Sequence, residues 1–352
     1  MRIAYVVAES LEKEHGVSKK IYNQIKFWIS EGHQVRLFYF SNKSLNPLFT
    51  KLDYQIVRYQ NRVDFVLNLK YFSVIQEWSP EIIYFRRYLY SRTFSKMLKV
   101  FPGIIEINTD DIEETKLTFP LVIRMFHKFT RELLFKKATG FVCVTHELRK
   151  KWMQYSSNVI TISNGINGSY IGKQVTRQSN KRFQVLFLGS PNQSWHGLDK
   201  IKFLAENLPD IDFHIIGTQE LKNSPVNLKQ YGYLNEVEYL GILNQCDVSI
   251  GTLALHRKKM MEACPLKTRE YLKYGLPTIV GYQDSDFLNK NTEFLMHLPN
   301  EENNVKNNIK EIKEFIESSR NTIIKENDVR HIFNEYKEKE RLEFMMKSLN
   351  KM

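Results

Sequence analysis

The chain has 352 residues, of which 42% are hydrophobic, and a formal net charge of +12. That length predicts two domains, each with a sizeable core. Cys143, Cys246 and Cys264 form no CxxC pair, no run approaches the ~18 apolar residues of a membrane span, and the apolar part of "MRIAYVVAES" is too short for a signal peptide. A cysteine metal site, a disulfide scaffold and a spanning helix are therefore excluded. Buried thiols and a cytoplasmic location are expected. The basic balance suits an acidic partner, whether a phosphorylated substrate, an anionic membrane surface or nucleic acid, without choosing among them.

In chain order, "RIAYVVA" (2–8), "QVRLFYF" (34–40), "EIIYFR" (81–86), "GIIEIN" (103–108), "GFVCVT" (140–145) and "NVITIS" (158–163) are short and β-rich. Amphipathic stretches such as 17–31 and 119–138 lie between them. Near-continuous apolar strands alternating with helices predict a parallel sheet covered on both faces. The polar, aperiodic segment 164–182 reads as an interdomain linker. The pattern then restarts: strands at 183–189, 211–217, 246–251 and 277–281, helices near 197–208, 236–244 and 265–274, and a charged helical tail from about 303. The fold class expected is α/β, two Rossmann-like domains facing a cleft, with ligands outside the C-terminal strand edges.

Several places are suited to a ligand. Gly16 follows the first strand and opens a helix, which lets the backbone approach phosphate or simply makes the turn. "VLFLGSPNQSWHG" (185–197) puts Gly189 and Ser190 after a strand, with His196 as a cation or donor before a second helix start. Gly217 ends the strand 211–217. Tyr233 and Leu234 precede a helix and suit a nucleobase pocket. In "MMEACPLKTREYLKYGLPTIV" (260–280), Pro265 fits a first helical turn, and the outward amides of Leu266 and Lys267 meet the Lys267 ammonium. A diphosphate there would find backbone donors, a positive helix end and a cation together. Glu262 and Glu270 flank this start. A carboxylate matches a vicinal diol, and it equally suits a helix N-terminus through the dipole.

The Glu-x7-Glu spacing of Glu262 and Glu270, with Gly275-x-Pro277 and the segments "FLGS…WHG", "IIG" and "YGYL", resembles the retaining GT-B-fold glycosyltransferases of glycosyltransferase family 4. The likeness is strong after residue 183 and loose before it. It implies an acceptor-binding domain over 1–170, a nucleotide-sugar-binding domain over 171–330, and a C-terminal helix over 331–352 packing back on the first domain. It also implies a retaining transfer of a sugar from a nucleotide-diphosphate donor to a hydroxyl acceptor, in cell-surface polysaccharide or glycoconjugate synthesis. Glu262 would face the donor sugar and Glu270 the ribose. Ser190 and His196 stand where many members carry arginine and lysine, which shifts charge compensation to Lys267. In "EINTDD", with Asn108, Asp110 and Asp111, the acceptor-side polar group is taken as Asp110.

No metal cofactor is expected. The "DID" (210–212) and "DSD" (284–286) aspartates are read as solvated turn residues. The acceptor expected is a saccharide or lipid-linked saccharide. In the helix 119–138, Arg124, Lys128 and Arg131 at i, i+4 and i+7, with Lys136 and Lys137 beyond, form either a solvated face or a seat on the inner face of an anionic membrane. The other classes are a nucleotide-sugar-binding or epimerase-like protein of the same fold and a nucleic-acid binder. The latter lacks any recognisable recognition helix, finger or RNP motif.

Overall fold

A computed structural model describes residues 1–86, 89–172 and 182–350. Residues 173–181 of the expected linker lie outside the described residues. The chain forms two compact units, Met1–Asn167 with Asn334–Met352, and Gly168–Phe333.

In the first unit, strands β1 (Arg2–Val7), β2 (Gln34–Phe40), β3 (Tyr54–Val57), β4 (Ile82–Arg86), β5 (Gly103–Ile107), β6 (Gly140–Cys143) and β7 (Val159–Thr161) make one parallel sheet in the order β3-β2-β1-β4-β5-β6-β7. The helices are α1 (Gly16–Ser30), α2 (Arg62–Leu67), α3 (Tyr71–Trp78), α4 (Arg92–Val100), α5 (Asp111–Thr118), α6 (Leu121–Phe135) and α7 (His146–Trp152). Five of the six residues of β1 and all of β4 and β5 are buried, as strands covered on both faces require.

The second unit repeats the scheme with β8 (Phe183–Leu188), β9 (Ile211–Ile216), β10 (Leu228–Gln230), β11 (Val248–Ile250), β13 (Thr278–Val280) and β15 (Leu295–His297), in the order β10-β9-β8-β11-β13-β15. A separate two-stranded ribbon pairs β12 (Glu262–Ala263) with β14 (Gln283–Asp284). Its helices are α8 (Leu198–Asn207), α9 (Glu236–Leu243), α10 (Leu266–Lys273), α11 (Asn304–Asn307), α12 (Ile309–Ser318) and α13 (Glu326–Val329). The last helix, α14 (Asn334–Leu349), is part of the first unit.

What attaches α14 is a buried polar network beneath an aromatic cluster of Tyr5, Trp28 and Tyr84. Glu106 on β5 is wholly buried. It accepts from Lys20 Nζ at 2.8 Å, Arg86 Nη1 at 2.7 Å and Tyr84 OH at 2.6 Å. Gln24 and Trp28 of α1 reach Glu338 of α14 at 3.2 and 3.0 Å, and Arg341 pairs with Glu338 at 2.5 Å. Arg341 Nε also lies 3.7 Å from Glu106. Apolar packing of Leu342, Phe344 and Met345 completes the attachment.

Burial pushes the Glu106 carboxyl up, but Lys20, Arg86 and Arg341 hold it well below its ordinary value of 4.5. Its stabilisation is therefore present above pH 4.5 and lost as pH falls through the lower folded value. Glu106→Gln removes the carboxylate that Lys20, Arg86 and Arg341 share, of which Arg86 keeps Glu9 and Arg341 keeps Glu338, and should cost about 3–5 kcal/mol at neutral pH. It should also flatten the acid limb of the stability profile. Urea unfolding at several pH values measures both. An unchanged midpoint at neutral pH would show that the network is not a stabilising element.

Candidate functional site

The residues singled out in the second half of the chain gather in the second unit, at the C-terminal ends of β8 and β9 and the start of α10. Gly189 leaves β8 and donates its amide to Ile216 O at 2.8 Å. A Cβ on it would come within 2.6 Å of the Phe187 ring and 2.4 Å of Thr218. Gly217 leaves β9 with φ +81°, and a Cβ there would lie 2.5 Å from Gly189 O. The two strand ends thus touch backbone to backbone, which only glycine permits. Ser190 is exposed just beyond.

Over this crossing sits α10. Pro265 is its N-cap at φ −64°, and no side chain caps its first turn, where Leu266 and Lys267 lie. Lys267 is only half-buried as a residue, but its Nζ is buried and has no hydrogen-bond partner among the described residues. The ammonium rests 4.1 Å from the centroid of Phe187. Burial lowers its pKa to about 7. The Phe187 ring packs edge-on to His196, centroids 5.3 Å apart. His196 Nδ1 is also buried without a partner. Burial, then the charges of Lys267 and Lys258, push the imidazole down to about 2. His196 is therefore a neutral donor or acceptor, and its reading as a cation is corrected. A buried ammonium and a buried imidazole nitrogen, neither with a hydrogen-bond partner among the described residues, share one aromatic ring beside an uncapped helix start. The chemistry of that set suits an anion.

The two glutamates are placed by different devices. Glu270, on α10, accepts from Tyr239 OH of α9 at 2.5 Å. Burial first, then the Glu270 charge, raise the pKa of Tyr239, so it stays a donor. Glu262 lies in the β12–β14 ribbon opposite Gln283. That ribbon is tied to α10 by Arg269, which is fully buried and forks onto both oxygens of Asp284 at 2.7 and 2.8 Å and onto Asp286 at 2.8 Å. The "DSD" aspartates are thus the counter-ions of Arg269, and their reading as solvated turn residues is corrected. In "DID", Asp212 is taken by Arg182 and Gln184. Among the described residues, no group of three or more His, Cys, Asp or Glu is placed to hold a metal ion. Arg269 and Tyr239 were missed in the sequence, although an arginine directly before Glu270 with two aspartates downstream was a readable signal.

The nucleobase residues separate. Leu234 packs in a small cluster with Tyr239 and Leu188, whereas Tyr233 projects into solvent, 84% exposed. In the first unit, Gly16 is the first residue of α1, whose start is closed by a reciprocal His15–Ser18 capping box. Asp110 caps α5, accepting from the amides of Ile112 and Glu113, and pairs with Lys151 at 2.5 Å. Asn108 is drawn into the Glu106 network, donating to Glu106 and accepting from Lys20. One member of the expected basic face of 119–138 is corrected: Arg131, whereas Lys128, Lys136 and Lys137 stay exposed. Arg131 turns inward to Asp111 at 2.5 and 2.8 Å and to Tyr155 OH at 2.7 Å. Burial opposes ionisation of Asp111, yet His127 and Arg131 hold its carboxyl at about 2.

No family model and no curated protein matches the sequence. Solved structures do match. A lipopolysaccharide outer core galactosyltransferase, WaaB in its apo form, superposes with a TM-score of 0.72 at 11% identity, covering 99% of each chain. The fold is GT-B. Sucrose-phosphate synthase from Thermosynechococcus elongatus gives 0.69 at 12% identity, with 100% of each chain covered. An α-glucosyltransferase in complex with UDP and a 13-mer DNA containing an HMU base gives 0.65 at 13% identity, covering 98% of this chain and 99% of that one.

Below its pKa of about 7 Lys267 is charged, and above it the ammonium loses its proton. Pyrophosphate entering above that pH should draw the proton back. Calorimetry in buffers of different ionisation enthalpy should show more proton uptake for wild type than for Lys267→Arg, which is charged throughout. Lys267→Met should abolish binding and raise Tm near neutral pH, since it removes a buried charge with no partner. Equal proton uptake in wild type and Lys267→Arg, or a lower Tm in Lys267→Met, would contradict this placement of the ammonium.

Proposed function

We propose that this chain is a retaining glycosyltransferase that moves a hexosyl group from a nucleotide-diphosphate sugar to a hydroxyl of a saccharide or lipid-linked saccharide, in cell-surface polysaccharide or glycoconjugate synthesis. The observation that carries the reading is the unpartnered Lys267 ammonium at the start of α10, between Glu262 and Glu270. The GT-B fold supports it, because that fold serves sugar transfer in the neighbouring structures, one of which holds UDP.

In this reading the diphosphate lies against α10, where the first-turn amides and Lys267 neutralise it and His196 Nδ1 meets an oxygen. Glu270 takes the ribose diol, with Tyr239 fixing its rotamer. Leu234 lines the base, and Gly189 and Gly217 let the nucleotide approach the strand ends. Glu262 faces the donor sugar. The bond from the anomeric carbon to the leaving phosphate oxygen breaks as the acceptor oxygen bonds on the same face. The acceptor proton passes to the departing phosphate oxygen, so no enzymic nucleophile is required. Preorganised positive charge stabilises the leaving group, and activity is expected to persist in EDTA. Asp110 is assigned to the acceptor side. Its two oxygens are taken by the α5 amides and by Lys151, so contact with an acceptor hydroxyl exchanges one of these partners.

Release of nucleoside diphosphate across a panel of donors, with saccharide, lipid-linked and duplex-DNA acceptors, tests the transfer itself. No release with any pair would defeat the proposal. Glu270→Ala should weaken nucleoside diphosphate binding by about 1.5–3 kcal/mol. Tyr239→Phe should raise KM for the donor several-fold while leaving kcat within about twofold, because it loosens a binding group and not the reacting centre. Equal losses in kcat and kcat/KM for Tyr239→Phe would instead put it at the transition state.

A further inference from the structure

With Arg131 turned inward, the outward side of α6 has a different character from a plain basic face. Leu121, Val122, Met125, Phe129 and Leu133 are between 44% and 79% exposed. Four of them recur at i, i+4, i+8 and i+12, so they form one stripe along the helix. From Leu121 to Leu133 the stripe is roughly 18 Å long. The buried side is held by His127, Arg131, Leu134 and Phe135. Around the stripe stand Arg124, Lys128, Lys136 and Lys137, against the single carboxylate of Glu132, which pairs with Lys136 at 2.8 Å. α4 lies between α6 and α2 and packs against both. α2 and the residue pair after it expose Val63, Leu67 and Leu69 beside Arg62 and Lys70. Two elements joined through α4 thus repeat the combination of bare apolar groups and cations, although Asp64 of α2 pairs with Lys70 at 3.6 Å.

From this we infer that the outward face of α6, extended by α2, is a docking surface for an anionic lipid bilayer, with the helix lying in the interface plane. The apolar stripe enters the acyl boundary and the flanking cations meet the headgroups. A second copy of this chain fits less well. A two-fold contact would set Arg124 and Lys128 against the same cations of the other copy, where like charges oppose. A bilayer bearing negative headgroups satisfies both parts of the face at once. The inference does not rest on the transferase reading, and the donor site lies in the other unit.

Co-sedimentation with phosphatidylcholine vesicles, with and without phosphatidylglycerol, tests it. Wild type should sediment with the anionic vesicles and be released by salt. The double variant Val122→Ser with Phe129→Ser, and separately Arg124→Gln with Lys128→Gln, should each partition about tenfold or more weakly. Both pairs alter surface positions, and pyrophosphate calorimetry should be the same as wild type, which keeps this result separate from the fate of the donor site. A dye on Phe129→Cys should shift to the blue only with anionic vesicles, since the three native thiols are buried. The inference fails if wild type sediments no better with anionic than with neutral vesicles, if both double variants sediment like wild type, or if the dye does not respond. It also fails if wild type is a dimer by sedimentation velocity that the serine variant dissociates, which would give the face to a second copy.

Discussion

A charge taken out of water must be matched where it lies, and each unit is arranged around one such match. In the first, Glu106 at the end of a central strand collects Lys20 from α1, Arg86 from β4 and the approach of Arg341 from α14. In the second, Arg269 collects Asp284 and Asp286. A buried ion is costly alone and directional when paired, so these groups act less as glue than as locators. Glu106 fixes where the last helix attaches. Arg269 fixes the ribbon that carries Glu262 relative to the helix that carries Glu270.

Lys267 is the contrast. It sits within two residues of Arg269 in sequence and is equally removed from water at its tip, yet among the described residues it meets the face of Phe187 and no hydrogen-bonding counter-ion. An unmatched buried cation is a standing loss of stability. The fold tolerates it because neighbouring groups are fully satisfied: Tyr271 receives the Leu188 amide at 2.6 Å, and Thr268 bonds Tyr282 at 2.8 Å. A rigid, well-bonded helix presenting one unsatisfied group has the character of a preorganised site.

Much of the fold was readable because parallel sheets announce themselves. Runs such as those at 2–8, 81–86 and 211–217 are rich in apolar and β-branched residues and recur between helical stretches. The strands that escaped notice, β3, β10, β12, β14 and β15, are two to four residues long and carry too little pattern to register. The candidate site was legible at α10, where proline, lysine and the glutamate spacing are local features. What was not legible was pairing over distance. Arg131 had the spacing of an exposed basic face, but its partner Asp111 lies twenty residues back and takes it inward. Asp284 looked like a turn aspartate, and only its contact with a helix fifteen residues earlier makes it a counter-ion. Lys20 and Glu106 are separated by 86 residues. Charge type and periodicity can be read from a chain, but the partner that decides whether a charge faces water is at most hinted at, as by the two aspartates downstream of Arg269.

The return of α14 to the first unit orders events during synthesis. A ribosome releases the chain from residue 1 onward, so the seven-stranded sheet emerges while Glu338 and Arg341 have yet to be made. Until then Trp28 lacks its acceptor, Gln24 has only Glu106, and the surface later covered by Leu342, Phe344 and Met345 stays open to water. The second unit, continuous from Gly168 to Phe333, can complete itself first. The nascent first unit is thus exposed for the whole time its neighbour takes to be translated and folded, the interval in which a chaperone or premature self-association would compete for that apolar surface.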